Sequence, residues 1–305
     1  MAFLYWLESI RAPFLDQLMA LVTHLGEEAL FLAIGLAIFW CVDKRKGYYL
    51  LSVGLTGTVL NQWLKIGCRV PRPWVRDPNF TIVESARAAA TGYSFPSGHT
   101  QSVVSYMGCI ARWTEKTWVR VTAIVLALLT AFSRMYLGVH TPWDVGVGLV
   151  SAAILVFIMH PVLHWADDQR KMNLLFGGMT ALAALFAAYA QLWHFPADVD
   201  PVNLMEAQKN AYTLLGAISG VWIAYNVDQR WIHFPTKAPL WGQAVKLLGG
   251  VVLVLAVKSL LKAPLLSLMG GSLAAHGVRY FLVVIVAGCF WPMTFTFFAR
   301  YVDRK

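Results

Sequence analysis

The chain has 305 residues, of which 58% are hydrophobic and 13% charged, with a formal net charge of +9 and a mean hydropathy of +0.58. That much apolar surface excludes a water-soluble globule. The basic residues are scattered over loops and helix ends rather than massed on one soluble face, which excludes a nucleic-acid partner and leaves an integral membrane protein in a lipid bilayer.

Residues 3–25 place Leu4, Leu7, Ile10, Phe14, Leu18 and Leu21 at helical spacing among polar positions, which predicts one helix lying in the membrane interface. Glu8 and Arg11 interrupt this stretch. With no basic n-region or small-residue cleavage site, no cleaved leader is expected. Apolar stretches then recur at roughly 27–42, 47–64, 99–113, 118–136, 142–163, 173–193, 211–227, 243–261 and 277–299. At about 20 residues per crossing, these predict nine spans and an all-α, multi-pass transmembrane helical bundle.

The longest stretch outside these spans, 66–96, contains Pro71, Pro73, Pro78 and Pro96 with Arg69, Arg72, Arg76, Asp77, Glu84 and Arg87. It predicts an ordered polar loop of the kind that carries function. A second loop, 194–210, separates the spans before it from the last three and reads equally well as a domain boundary or a plain connection. The predicted division is 1–165 as one unit and 166–305 as an additional bundle of three to four helices.

More than half of the 25 Lys and Arg fall on one side when sorted by loop, among them Lys44, Arg45, Lys46, Arg112, Lys116, Arg170, Lys171, Arg300, Arg304 and Lys305. The positive-inside tendency makes that side cytoplasmic. The loops at 65–97 and 133–144 then face outward. The four cysteines are too few and too scattered for a disulfide framework, and no Cys/His spacing suggests zinc. Neither a metal nor a cofactor is expected.

Three polar clusters lie at the outward ends. Lys65, Arg72 and Pro73 form the first, with Pro71 and Pro73 stiffening the turn that carries Arg72. Alone, these cations read as residues snorkelling to headgroups. In the second, 96–99, Ser97 is an N-cap whose helix start can bind an anion and Gly98 allows close approach. It reads equally well as a capped helix with an incidental histidine. The third holds Ser133, Arg134, His140 and Asp144. Thr141 and Pro142 begin a helix there, and the i, i+4 spacing lets Asp144 fold back toward His140. Together the clusters offer cations, neutral donors and two histidines, an inventory suited to a phosphoryl group.

The patterns K-x6-RP at 65–73, PSGH at 96–99 and SR-x5-H-x3-D at 133–144 resemble the type 2 phosphatidic acid phosphatase family, the membrane relatives of vanadium haloperoxidases. The resemblance covers residues 1 to about 165 and leaves the last 140 or so unexplained. It implies that His140 attacks phosphorus, that Asp144 orients it and that His99 protonates the leaving oxygen. Lys65, Arg72, Ser97, Gly98 and Arg134 would bind the phosphate, with no metal. The implied activity is hydrolysis of a lipid phosphate monoester or diphosphate at the extracytoplasmic face of the cell membrane. Two other readings fit the same residues: a lipid or sugar phosphotransferase, and a non-catalytic lipid- or anion-binding or transport protein.

Overall fold

The computed structural model describes residues 1–299, so Arg300, Arg304 and Lys305, which entered the charge count above, lie outside the described residues. Every regular element described is helical: α1 (Ala2–Ser9), α2 (Pro13–Thr23), α3 (Glu28–Ala37), α4 (Lys44–Cys68), α5 (Pro73–Arg76), α6 (Gly98–Trp113), α7 (Thr117–Tyr136), α8 (Pro142–Ile158), α9 (Val162–Trp165), α10 (Gln169–Leu192), α11 (Pro201–Val227), α12 (Leu240–Leu260), α13 (Lys262–Leu268), α14 (Ala274–Ile285) and α15 (Phe295–Ala299). The all-α membrane class is therefore the observed one.

Five helical stretches are long and apolar enough to cross a membrane: Thr117–Tyr136, Pro142–Trp165, Gln169–Leu192, Leu240–Leu268 and Ala274–Ala299. A sixth appears if Pro13–Gly26 and Glu28–Val42, bent by 51°, count as one broken span. The other expected spans form helices that fall outside this set. α6 has only 16 residues and buries Thr100, Gln101 and Ser105, while α4 opens on Lys44, Arg45 and Lys46 and contains Asn61 and Lys65. The single interfacial helix expected over 3–25 is two helices. Pro13 ends any continuous run because proline has no N–H to donate and restrains the residue before it; here it starts α2 after an extended Ala12.

The chain forms two compact units, each built from discontinuous stretches. The first comprises Met1–Leu32, Val53–His160 and Phe195–Ala207. In it α6 packs against α7 and α8, and α7 also meets α1 and α2. Leu4, Leu7, Met19, Phe80, Ile82, Tyr136, Leu137 and Val139 form a buried cluster beside the α7–α8 turn. Arg11 fastens this cluster by donating from Nε to the Tyr136 carbonyl at 3.1 Å and from Nη1 to the Thr81 carbonyl at 2.9 Å. The turn itself needs Gly138, whose φ of +81° suits glycine and whose missing Cβ would stand 2.7 Å from Arg11.

The second unit comprises Ala33–Ser52, Pro161–His194 and Gln208–Lys305. An ion pair joins half-buried Lys44 to buried Asp228 at 2.6 Å, and the Lys44 ammonium also lies 3.7 Å from the centre of the Phe234 ring. Lys246 is fully buried and donates to the carbonyls of Pro235 and Thr236. The buried Lys246 ammonium is thus matched by acceptors, as burial of a charge requires.

Candidate active site

The three sequence clusters meet within the first unit. Ser97 caps α6, its hydroxyl oxygen accepting from Thr100 N–H at 3.4 Å and from the Thr100 hydroxyl at 3.0 Å. Its own N–H donates to the Asp144 carbonyl at 2.9 Å, so the second cluster is tied by backbone to the third. The close approach depends on Gly148, where a Cβ would stand 2.8 Å from the Ser97 carbonyl oxygen. Thr141 and Asp144 form a capping box at the start of α8: Asp144 Oδ2 accepts from Thr141 N–H at 2.7 Å while Thr141 Oγ1 accepts from Asp144 N–H at 3.3 Å.

That box fixes the carboxylate where His140 needs it. Asp144 Oδ2 lies 3.5 Å from His140 Nδ1, and Ser94, fully buried, donates its hydroxyl to the same oxygen at 2.5 Å. On the other side of the ring, Arg72 Nη1 lies 2.9 Å from His140 Nε2. A guanidinium can only donate, so Nε2 presents its lone pair and the proton sits on Nδ1, facing Asp144. His140 is therefore held as the neutral tautomer. Its pKa lies well below the usual 6.5, first because the ring is buried and then because Arg72, Arg134, Lys65 and His99 oppose a further positive charge.

Arg72 is anchored by its whole fork. Nε donates to the Gly92 carbonyl at 3.1 Å, Nη2 to that of Thr91 at 2.6 Å and Nη1 to that of Val139 at 3.0 Å. Burial lowers its pKa to about 10, against the opposing pull of Asp144, so it stays charged at neutral pH. Lys65, buried at the end of α4, donates to the Tyr93 carbonyl at 2.6 Å. Residues 91–94 thus form a strip whose carbonyls hold two cations and whose serine holds the carboxylate.

Arg134 is fully buried, with Nη1 donating to Thr23 Oγ1 at 2.6 Å. Its Nε and Nη2 have no hydrogen-bond partner among the described residues, and neither has His99 Nε2. Unpaired buried polar atoms are costly and rare, and here they belong to the groups expected to meet a phosphate. Gly98 is open, with only Asn61 Oδ1 at 3.7 Å from where a Cβ would stand. Ser133, in contrast, gives its hydroxyl to the Thr130 carbonyl in its own helix. Sequence reasoning missed Ser94 and Thr23. Ser94 stands two residues before Pro96 and reads as a turn residue, and Thr23 reads as an ordinary helix end.

Buried Lys65, Arg72 and Arg134, a neutral histidine beside a carboxylate, and unpaired polar atoms make this cluster a candidate anion-handling site in a helical membrane protein. Residues 45–168 match the family described as PAP2 superfamily, and residues 212–301 match PAP2 superfamily phosphatase, transmembrane extension. The family relationship therefore reaches well beyond residue 165, where the sequence motifs had left it. Phosphatidylglycerophosphatase B of Bacillus subtilis is 32% identical over 163 residues, covering 49% of this chain and 75% of that protein. Undecaprenyl-diphosphatase BcrC of the same organism is 31% identical over 148 residues, covering 47% and 72%. A probable sphingosine-1-phosphate phosphatase of Dictyostelium discoideum is 28% identical over 257 residues, covering 79% of this chain and 60% of that protein. No solved structure is a significant match. The chain belongs to the PAP2 superfamily and is a membrane phosphatase of that type.

Proposed function

We propose that this phosphatase hydrolyses a lipid phosphate monoester or diphosphate through a phosphohistidine on His140, at the extracytoplasmic face of the cell membrane. The observation that carries the reading is the two-sided hold on His140, with Arg72 at Nε2 and Asp144 with Ser94 at Nδ1. A neutral imidazole with an oriented lone pair is what attack on phosphorus requires. Nε2, released as the Arg72 guanidinium turns to the phosphate, forms a bond to phosphorus as the ester P–O bond breaks. His99, protonated once the anionic phosphate offsets the burial and cations that otherwise hold it neutral, gives that proton to the departing oxygen. Water then attacks the phosphohistidine, His99 takes its proton, and inorganic phosphate leaves. Lys65, Arg72 and Arg134 balance the charge that builds on the equatorial oxygens, supported by Ser97 and the backbone at Gly98.

The relatives named as acting on phosphatidylglycerophosphate, undecaprenyl diphosphate and sphingosine 1-phosphate support a lipid substrate. The outward orientation is supported by the span Thr117–Tyr136, which has Lys116 at the end opposite Arg134. Residues 1–165 would then hold the chemistry, with 166–305 as its extension. Hydrolysis of a panel of lipid phosphates by the purified protein in detergent with chelator tests the reading. Phosphate release that disappears in His140→Ala and is indifferent to chelator supports it; release retained in His140→Ala overturns it.

A further inference from the structure

Between α2 and α3 the helix axis turns by 51°, and the residues at the turn, 23–27, lie outside the stretch 45–168 that matches the catalytic family. This segment nevertheless touches two of the groups facing the phosphate. Thr23 Oγ1, itself buried, accepts the 2.6 Å hydrogen bond from Arg134 Nη1 and is the guanidinium's one side-chain partner among the described residues. Gly26 lies flat against His99: a Cβ there would stand 2.8 Å from both the His99 Cβ and its carbonyl oxygen, closer than real atoms approach. The Tyr106 hydroxyl donates to the Leu25 carbonyl and pins the turn to α6.

We infer that this break is a wall of the active site, with Thr23 as a positioning residue for Arg134 and Gly26 as the residue that sets where His99 stands. The inference rests on the proposed function and adds to it a part supplied by this chain's own amino-terminal segment. Arg134 has one nitrogen tied and two free, so the single tie to Thr23 decides where the free donors point. In forming the phosphohistidine, the step that kcat/KM reports, His99 acts on the leaving oxygen, so its placement matters there in proportion to how much that oxygen needs a proton. The two contacts should therefore leave different kinetic signatures.

The test compares the full-length protein and variants on a lipid phosphate, whose alkoxide needs a proton to leave, and on p-nitrophenyl phosphate, whose phenoxide does not. Thr23→Val removes the acceptor while keeping the shape. It is expected to lower kcat/KM on both substrates by about ten- to hundredfold, the range for a lost hydrogen bond to a charged group, whereas Thr23→Ser stays near wild type. Gly26→Ala is expected to lose at least tenfold on the lipid phosphate and less than threefold on the aryl phosphate.

Thr23→Val within twofold of wild type, or Thr23→Ser falling as far as Thr23→Val, overturns the role of Thr23. Equal losses on the two substrates in Gly26→Ala overturn the role given to Gly26. If Gly26→Ala does not fold, the Thr23 pair still decides. His140→Ala keeps the two levels apart. Activity retained there defeats the proposed function itself, while an inactive His140→Ala beside a wild-type-like Thr23→Val defeats only this inference.

Discussion

Ser94 places its hydroxyl 2.5 Å from Asp144 Oδ2 and 3.5 Å from His140 Nδ1, so one buried serine touches both members of the nucleophile pair. Asp144 in turn owes its position to the capping box with Thr141. A helix start has thus been made into the support of the histidine that the proposed mechanism makes its nucleophile. Ser94→Ala removes one of the contacts that hold the carboxylate but none that would hold phosphate. It is expected to lower kcat about tenfold with KM little changed, as steady-state kinetics on a lipid phosphate will show.

Arg72 offers a second, more severe test. Its fork reaches three carbonyls and His140 at once, a geometry that the single ammonium of lysine cannot reproduce. Losing two charge-assisted bonds at about 1.5 kcal/mol each corresponds to about a hundredfold. Arg72→Lys is expected to lower kcat/KM by that factor and to lower the thermal midpoint in detergent, since residues 91–94 lose their anchor.

The depressed pKa of His140 has a pH signature. In the unfolded chain a histidine takes up its proton near pH 6.5, whereas the folded, buried ring surrounded by Arg72, Arg134, Lys65 and His99 takes it up well below that. Between those two values the unfolded state binds more protons, so stability falls as pH drops from 6.5, by up to about 1.4 kcal/mol per pH unit for this residue. Unfolding measured against pH is expected to be shallower in His140→Asn. For the same reason kcat/KM is not expected to decline through a pKa near 6.5 that belongs to His140.

Orientation can be read from one thiol. Cys68, at the end of α4 three residues after Lys65, is exposed, whereas Cys41 is partly buried and Cys109 and Cys289 are buried. A membrane-impermeant maleimide is expected to label intact cells at Cys68, and Cys68→Ser to abolish that label. Labelling that appears only after permeabilisation would place the site on the cytoplasmic side.

Lys65, Arg72, His140 and Asp144 could be read from sequence because charged groups at fixed spacing next to apolar runs have few bland explanations. The Ser97 and Thr141 caps were legible for a similar reason, being local rules of helix ends. Ser94 and Thr23 were not legible: their partners lie 50 and 111 residues away, and serine and threonine beside turns are usually just turn residues. Hydropathy read α4 and α6 as spans from their apolar content, yet it is their polar residues, Lys65 and the face of α6 bearing Thr100 and Gln101, that pack around the site. The amino-terminal helix pair was read as one because apolar periodicity ran through Pro13, which the backbone could not follow.

Arg134 Nε and Nη2 and His99 Nε2 stand without partners among the described residues, and each desolvated, unpaired group costs about 1–3 kcal/mol. Any tetrahedral oxyanion that enters relieves that cost, whether or not it still carries a lipid. In the proposed mechanism, free phosphate is then held by the same contacts that hold the substrate headgroup. Product departure becomes a slow event, added phosphate raises the thermal midpoint through mass action, and turnover follows the phosphate level of the compartment into which the site opens.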